Sequence, residues 1–161
     1  MPEQYVALSP ADLPDREQIA ALTGLEFMQA IRNGEMAGPP IAAEMNFRMH
    51  EVQKGEVAFR GAPEFRHLNP SGGVHGGWYG TILDSALGCA VATALDKGQF
   101  YTTLEYKVNL TRALRPGVEV ECRARVQHVG RSTAVAEAIL TGVEDGRLYA
   151  TGSTTCIILK A

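Results

Sequence analysis

With 161 residues, 45% of them apolar and 20% charged, the chain can bury one core but is too short for two, and its composition is not that of a disordered segment. A formal net charge of −3 without any run of Lys or Arg argues against nucleic acid as a partner, and no apolar run approaches the roughly 20 residues of a membrane-spanning helix. The N-terminus, MPEQYVALSPADLPD, lacks the basic start and apolar centre of a signal peptide, so a cytoplasmic protein with no membrane partner is expected.

The stretch DREQIAALTGLEFMQAIR (15–32) places Ile19, Leu22, Leu25 or Phe27, Met28 and Ile31 at three-to-four spacing, which predicts one amphipathic helix stopped by Asn33-Gly34. GPPIAAEM (38–45) reads as a stiff, extended connector. In EMNFRMHEV (44–52), Met45, Phe47 and Met49 alternate with polar neighbours, as in a strand, and Lys54-Gly55 turns the chain into a second strand, GEVAFRG.

A Gly/Pro-rich segment then leads without pause into a helix: HLNPSGGVHGGWYGTILD (67–84). The helix is expected to run on from Trp78 through LDSALGCAVATAL to a Lys97-Gly98 stop, apolar over most of its surface and therefore buried. Four strand-like stretches follow (101–114, 118–129, 132–143 and 147–159), divided by Pro116-Gly117, Gly130-Arg131 and Asp145-Gly146. Short turns between successive strands predict a four-strand antiparallel meander. Strands of this length favour a curved sheet wrapped around the long helix, with open edges that invite dimerisation.

Chemistry-bearing residues concentrate in the 67–84 segment. Gly76 and Gly77 sit at a helix start, where amide N–H groups lack intrahelical acceptors; they suit a developing oxyanion, or they merely permit a tight turn. Asp84, two turns on, is flanked by Ile82, Leu83, Ala86 and Leu87. The face made by Gly77, Gly80, Thr81, Asp84 and Gly88 is nearly bare of bulk, so it forms a slot with a carboxylate in its floor, a solvated face, or a seat for a nearby Arg. Trp78 and Tyr79 could line an aromatic pocket or simply pack in the core. His50, His67, His75 and His128 have no metal-ligand spacing, and the dispersed Cys89, Cys122 and Cys156 read as buried free thiols, so neither a metal nor a disulfide is expected. No GxSxG, Walker or dinucleotide fingerprint is present.

From about residue 39 to residue 158 the chain resembles the hotdog-fold thioesterases of the PaaI-like group, which includes phenylacetyl-CoA and 4-hydroxybenzoyl-CoA thioesterases. The resemblance rests on HLNPSGGVHGG, LDSALGCA, TTLEYKVNLTRAL followed by PG, and HVGRS. It implies an α+β hotdog fold, with residues 1–38 as an N-terminal helical extension and 39–161 as a single thioesterase domain. It also implies hydrolysis of an acyl-CoA in a site at a dimer interface, in a homodimer or a homotetramer made of two dimers, with coenzyme A as part of the substrate and no separate cofactor.

By this resemblance Asp84 matches the general base or nucleophile, Gly76 the backbone donor to the thioester oxygen, Asn69 the loop residue that orients substrate or water, and Thr103 a hydroxyl supporting the attacking water from across the interface. His75 and Gly77 fall with substrate binding, and Gly130, Arg131 and Ser132 match a turn that contacts coenzyme A. Some branches carry a catalytic Glu one turn from this Asp; residues 85–88 hold no acid, which leaves Asp84 as the helix carboxylate. Two other readings are an acyl-CoA-binding module without catalysis and a hotdog enoyl-CoA hydratase or dehydratase, which would want a His paired with Asp or Glu.

Overall fold

The computed structural model describes residues 5–160; residues 1–4 of the expected extension and residue 161 of the expected domain lie outside it. Instead of one helix over 15–32 there are two, α1 (Arg16–Ala20) and α2 (Gly24–Asn33). The break is written into local hydrogen bonding. Thr23 accepts from the Glu26 amide at 3.2 Å while the Glu26 carboxylate accepts from the Thr23 amide at 2.7 Å, a reciprocal cap that starts a helix within the periodic run. Gly24 donates its N–H to the Leu95 carbonyl, and a Cβ there would run into the Ala92 carbonyl, so the break is also where α2 meets the core helix. Gly34 ends α2 at φ 76°, as expected. The connector at 38–45 is not extended throughout: Pro40 opens a short helix, α3 (Pro40–Glu44), because its fixed φ and missing N–H suit a first helical turn.

β1 (Phe47–Gln53) and β2 (Glu56–Gly61) form the expected hairpin, turning through Gly55 at φ 77°. The central helix α4 (Gly76–Ala92) starts two residues before Trp78 and stops well before Gly98. It stops where Thr93 donates its hydroxyl to the Ala90 carbonyl at 2.7 Å and accepts the Gly55 amide at 2.8 Å, so the hairpin turn takes over the helix end. Trp78, Ile82, Leu83, Ala86, Leu87, Ala90 and Val91 are buried, and α4 packs against the five strands from β2 onward. No helix among the described residues is long and apolar enough to cross a membrane.

The remaining strands are β3 (Gln99–Leu110), β4 (Val120–Val129), β5 (Thr133–Gly142) and β6 (Leu148–Lys160). All pairings are antiparallel, in the order β1-β2-β4-β5-β6-β3. The meander is thus β4-β5-β6 only. β3 pairs with β6 and forms an edge, because residues 111–119 are a crossing connection and not a hairpin turn. That connection is anchored by the Leu114 amide on the Tyr79 hydroxyl at 2.7 Å and by the Gly117 amide on the Pro63 carbonyl at 2.8 Å. Along β4, Val120, Cys122 and Ala124 face the helix while Glu121, Arg123 and Arg125 face outward.

Candidate functional site

Asp84 lies halfway along α4 on the side turned to β3, where Thr103 donates its hydroxyl to Asp84 Oδ1 at 3.2 Å. Both residues belong to the same chain, 19 positions apart. Asp84, Ser85, Cys89, Tyr101 and Thr103 form one end of a cavity of about 520 Å³. Its remaining wall is almost wholly apolar, with Phe27, Met28 and Ile31 from α2, Ala42 from α3, and Phe47, Met49 and Phe59 from the first hairpin. Arg48, half-exposed and 4.0 Å from Glu119, is the one cation in the lining among the described residues.

The groups beside Asp84 stay neutral. Burial, reinforced by the Asp84 charge, pushes the Cys89 thiol up to about 12, and burial with Cys89, Cys156 and Asp84 raises the Tyr101 phenol well above its ordinary value. A protonated thiol is no nucleophile. Asp84 is therefore the group in this lining able to take a proton from water or attack a carbonyl. Cys122 and Cys156 are buried free thiols, as expected, whereas Cys89 is partly exposed to the cavity.

The slot expected along the bare helix face is not open. β3 runs antiparallel to α4 and fills it: Leu110 lies over Gly76, the Tyr106 ring over Gly80 and the Tyr101 ring over Gly88, with Thr103 meeting Asp84 between them. The glycines make room for tyrosines, and the cavity opens from Asp84 toward the N-terminal helices. Trp78 and Tyr79 do not line it. Trp78 donates to the Met45 carbonyl at 2.8 Å and Tyr79 to the Arg112 carbonyl at 3.2 Å, so both are core residues.

At the start of α4, His75 caps the helix by accepting the Gly77 amide on Nδ1 at 2.9 Å, which places the proton of the neutral ring on Nε2. Gly76, the first helical residue, is exposed, and its N–H has no acceptor among the described residues. Asn69 uses its side-chain oxygen to hold the preceding loop, accepting the Ser71 amide at 2.9 Å and the Gly73 amide at 3.2 Å. Its NH₂ group is unpartnered among the described residues.

Gly76 and Asp84 stand eight positions apart on one helix, about 12 Å along the axis at 1.5 Å per residue. The structure therefore brings Asp84 and Thr103 together but leaves Asn69, His75, Gly76 and Gly77 one helix half away. The turn of Gly130, Arg131 and Ser132 is at the other end again, tied to β6 by the Ile158 amide on the Ser132 carbonyl at 2.8 Å, with Ile158 paired to Tyr101. Arg131 is exposed and makes no ion pair among the described residues. The sequence reading did not find the cavity wall; Met28 and Ile31 were legible as the apolar face of a helix, but nothing local says that this face borders Asp84.

The sequence profile of the thioesterase superfamily matches residues 71–149. A Caenorhabditis elegans protein named "Putative esterase" is 31% identical over 110 residues, which make up 68% of this chain and 64% of that protein. The chain thus spans a little under two thirds of the length of the curated relatives it matches. Among solved structures, a phenylacetic acid degradation-related protein from Ralstonia eutropha superposes with a TM-score of 0.74 at 27% identity, covering 81% of this chain and 98% of that one. The "Hypothetical Thioesterase Protein" of Streptococcus pneumoniae, solved with coenzyme A, gives a TM-score of 0.67 at 25% identity over 74% of this chain and 91% of that one.

Proposed function

Because the chain belongs to the thioesterase superfamily and has its hotdog fold, we propose that it hydrolyses an acyl-CoA thioester to the free acid and coenzyme A. The observation that carries the reading is Asp84, the one carboxylate among the described residues of the lining, held by Thr103 at one end of an apolar cavity. The acyl group enters the cavity and presents its thioester carbon to Asp84. Oxygen from water, activated by Asp84, adds to that carbon, or the carboxylate itself attacks and water then releases it. The C–S bond breaks, and the coenzyme A thiolate takes up the proton. The coenzyme A bound to the Streptococcus relative supports that carrier, and the unpaired Arg131 is a fitting phosphate partner.

One helix cannot supply both halves of this chemistry, since its oxyanion donor is about 12 Å from its carboxylate. The Gly76 amide that meets the thioester oxygen over Asp84 therefore belongs to a second copy. β3 supports such a pairing, being an edge with Leu104, Tyr106 and Leu110 exposed at 58%, 46% and 52%. A two-fold pairing of two such edges runs the two α4 helices in opposite directions, and the start of one approaches the middle of the other.

Thiol release over an acyl-CoA panel tests the reading. Asp84→Asn should lose about a hundred- to ten-thousand-fold in turnover; near-normal turnover by the folded variant sinks the assignment, and binding without release favours the non-catalytic module. Oxygen-18 appearing in Asp84 after a single turnover would mark direct attack. Gly76→Pro removes the N–H at a first helical position where proline is tolerated, behind a His75 already at ψ 137°. Mixed with Asp84→Asn, two inactive proteins should recover roughly a quarter of wild-type activity, because one site in each mixed dimer keeps both groups. No recovery with both variants folded and exchanging would refute the shared site.

A further inference from the structure

Resting on the thioesterase reading, we infer that the N-terminal helices set substrate choice: residues 6–43 close the cavity over Asp84 and fit it to an uncharged, apolar acyl group well above acetyl in size. The matched superfamily segment begins only at residue 71, yet Val6, Leu13, Ile19, Met28, Ile31 and Ala42 wall the cavity from this earlier part of the chain. The roof is bound in place from both sides. Gly24 donates to the Leu95 carbonyl and Gly98 to the Ala20 carbonyl, each at 3.1 Å, while Arg32 Nε donates to the His50 carbonyl at 2.9 Å.

Size and charge define the acyl class. At about 30 Å³ per non-hydrogen atom, the share of liquid volume held by a water molecule, an acetyl group fills less than a fifth of the cavity, and a group of about nine to fourteen such atoms fills half or more. The 520 Å³ space is within the range of specific small-molecule pockets. An acyl group ending in a carboxylate would bury that charge against an almost wholly apolar wall. Straight medium-length chains and arylalkanoyl groups share the required chemistry, and an assay separates them.

The experiment measures kcat/KM for acetyl-, butyryl-, octanoyl-, decanoyl-, phenylacetyl- and succinyl-CoA. Each methylene buried should raise kcat/KM about fourfold until the space is full. Decanoyl-CoA leading the series marks a linear tail and phenylacetyl-CoA leading marks an aryl group, and both support the inference; acetyl- or succinyl-CoA leading overturns it. Ala42→Phe should reduce the decanoyl-to-butyryl ratio at least about tenfold, and Met28→Trp, on a different helix, repeats the test if the first variant fails to fold. An unchanged ratio in a folded variant overturns the inference.

If no acyl-CoA is hydrolysed, the activity reading has failed, and the pocket is then judged by calorimetric titration with 1-decanol, an uncharged probe of the same chain length. Saturable binding that Ala42→Phe abolishes supports the pocket; no binding to wild type, or equal binding to the variant, refutes it.

Discussion

At Asp84 the environment is assembled from parts that are individually unremarkable: an aspartate among small residues, a threonine 19 positions later, and two groups that burial keeps neutral. On the proposed mechanism the threonine's hydroxyl is a positioning device, fixing one carboxylate oxygen and leaving the other for water. Thr103→Val should lower kcat about tenfold with little change in KM, the cost of one hydrogen bond to a charged group. Thr103→Ser should restore it. A purely structural role would instead be seen as a lower melting temperature with kcat unchanged. Asp84 was legible as a residue to watch because a carboxylate amid apolar neighbours needs a reason. Its partnership with Thr103 was visible only through family resemblance, since strand and helix are brought together by sheet pairing that no local pattern encodes.

Among the elements, the helix α4 and strand β3 behave as one unit. Glycines at 80 and 88 receive the tyrosines at 106 and 101, and the register so set brings Thr103 to Asp84. A Cβ on Gly88 would sit 2.6 Å from the Tyr101 hydroxyl and 2.8 Å from its ring, so the ring must shift to admit it. Gly88→Ala should therefore cost about 1–3 kcal/mol, read as a lower urea midpoint, and should depress turnover as well because Tyr101 walls the cavity. The pattern of small residues was plain in the sequence, but the same pattern serves an open slot or a close-packed strand. Which of these is realised depends on what lies opposite. The broken N-terminal helix teaches the converse: Thr23 and Glu26 had the capping signature, and the apolar period running through it concealed the break.

For the molecule as a whole, the outer face of the sheet carries a charge network in which Arg123 reaches Glu51, Glu56 and Glu121 at 2.7 to 2.9 Å while Arg125 reaches Glu56 and Arg60 reaches Glu121. The hydrogen bond from Arg123, aided by Arg125 and opposed by partial burial, holds Glu56 below its ordinary value of 4.5. Partial burial works against ionisation of Glu121, and Arg60 with Arg123 outweighs it. Because these carboxylates ionise more readily folded than unfolded, their contribution is complete above about pH 4.5 and is lost as pH falls through the lower folded values. Thermal melts from pH 7 to pH 3 should show the melting temperature dropping below about pH 4.5, and Glu56→Gln should start lower and fall less over that range.

Periodicity and turn chemistry by themselves determined the buried long helix, the first hairpin, three of the four strands expected in the meander and the compact segment that carries Gly76 and Asp84, because each depends on residues within a turn or two of one another. Tertiary structure alone decided that β3 leaves its sequence neighbour to form an edge beside β6, that its tyrosines fill the helix's bare face, and that α2 and α3 roof a cavity ending on Asp84. Those outcomes depend on which surfaces meet across the whole chain, and shape complementarity between distant elements leaves no period in the sequence.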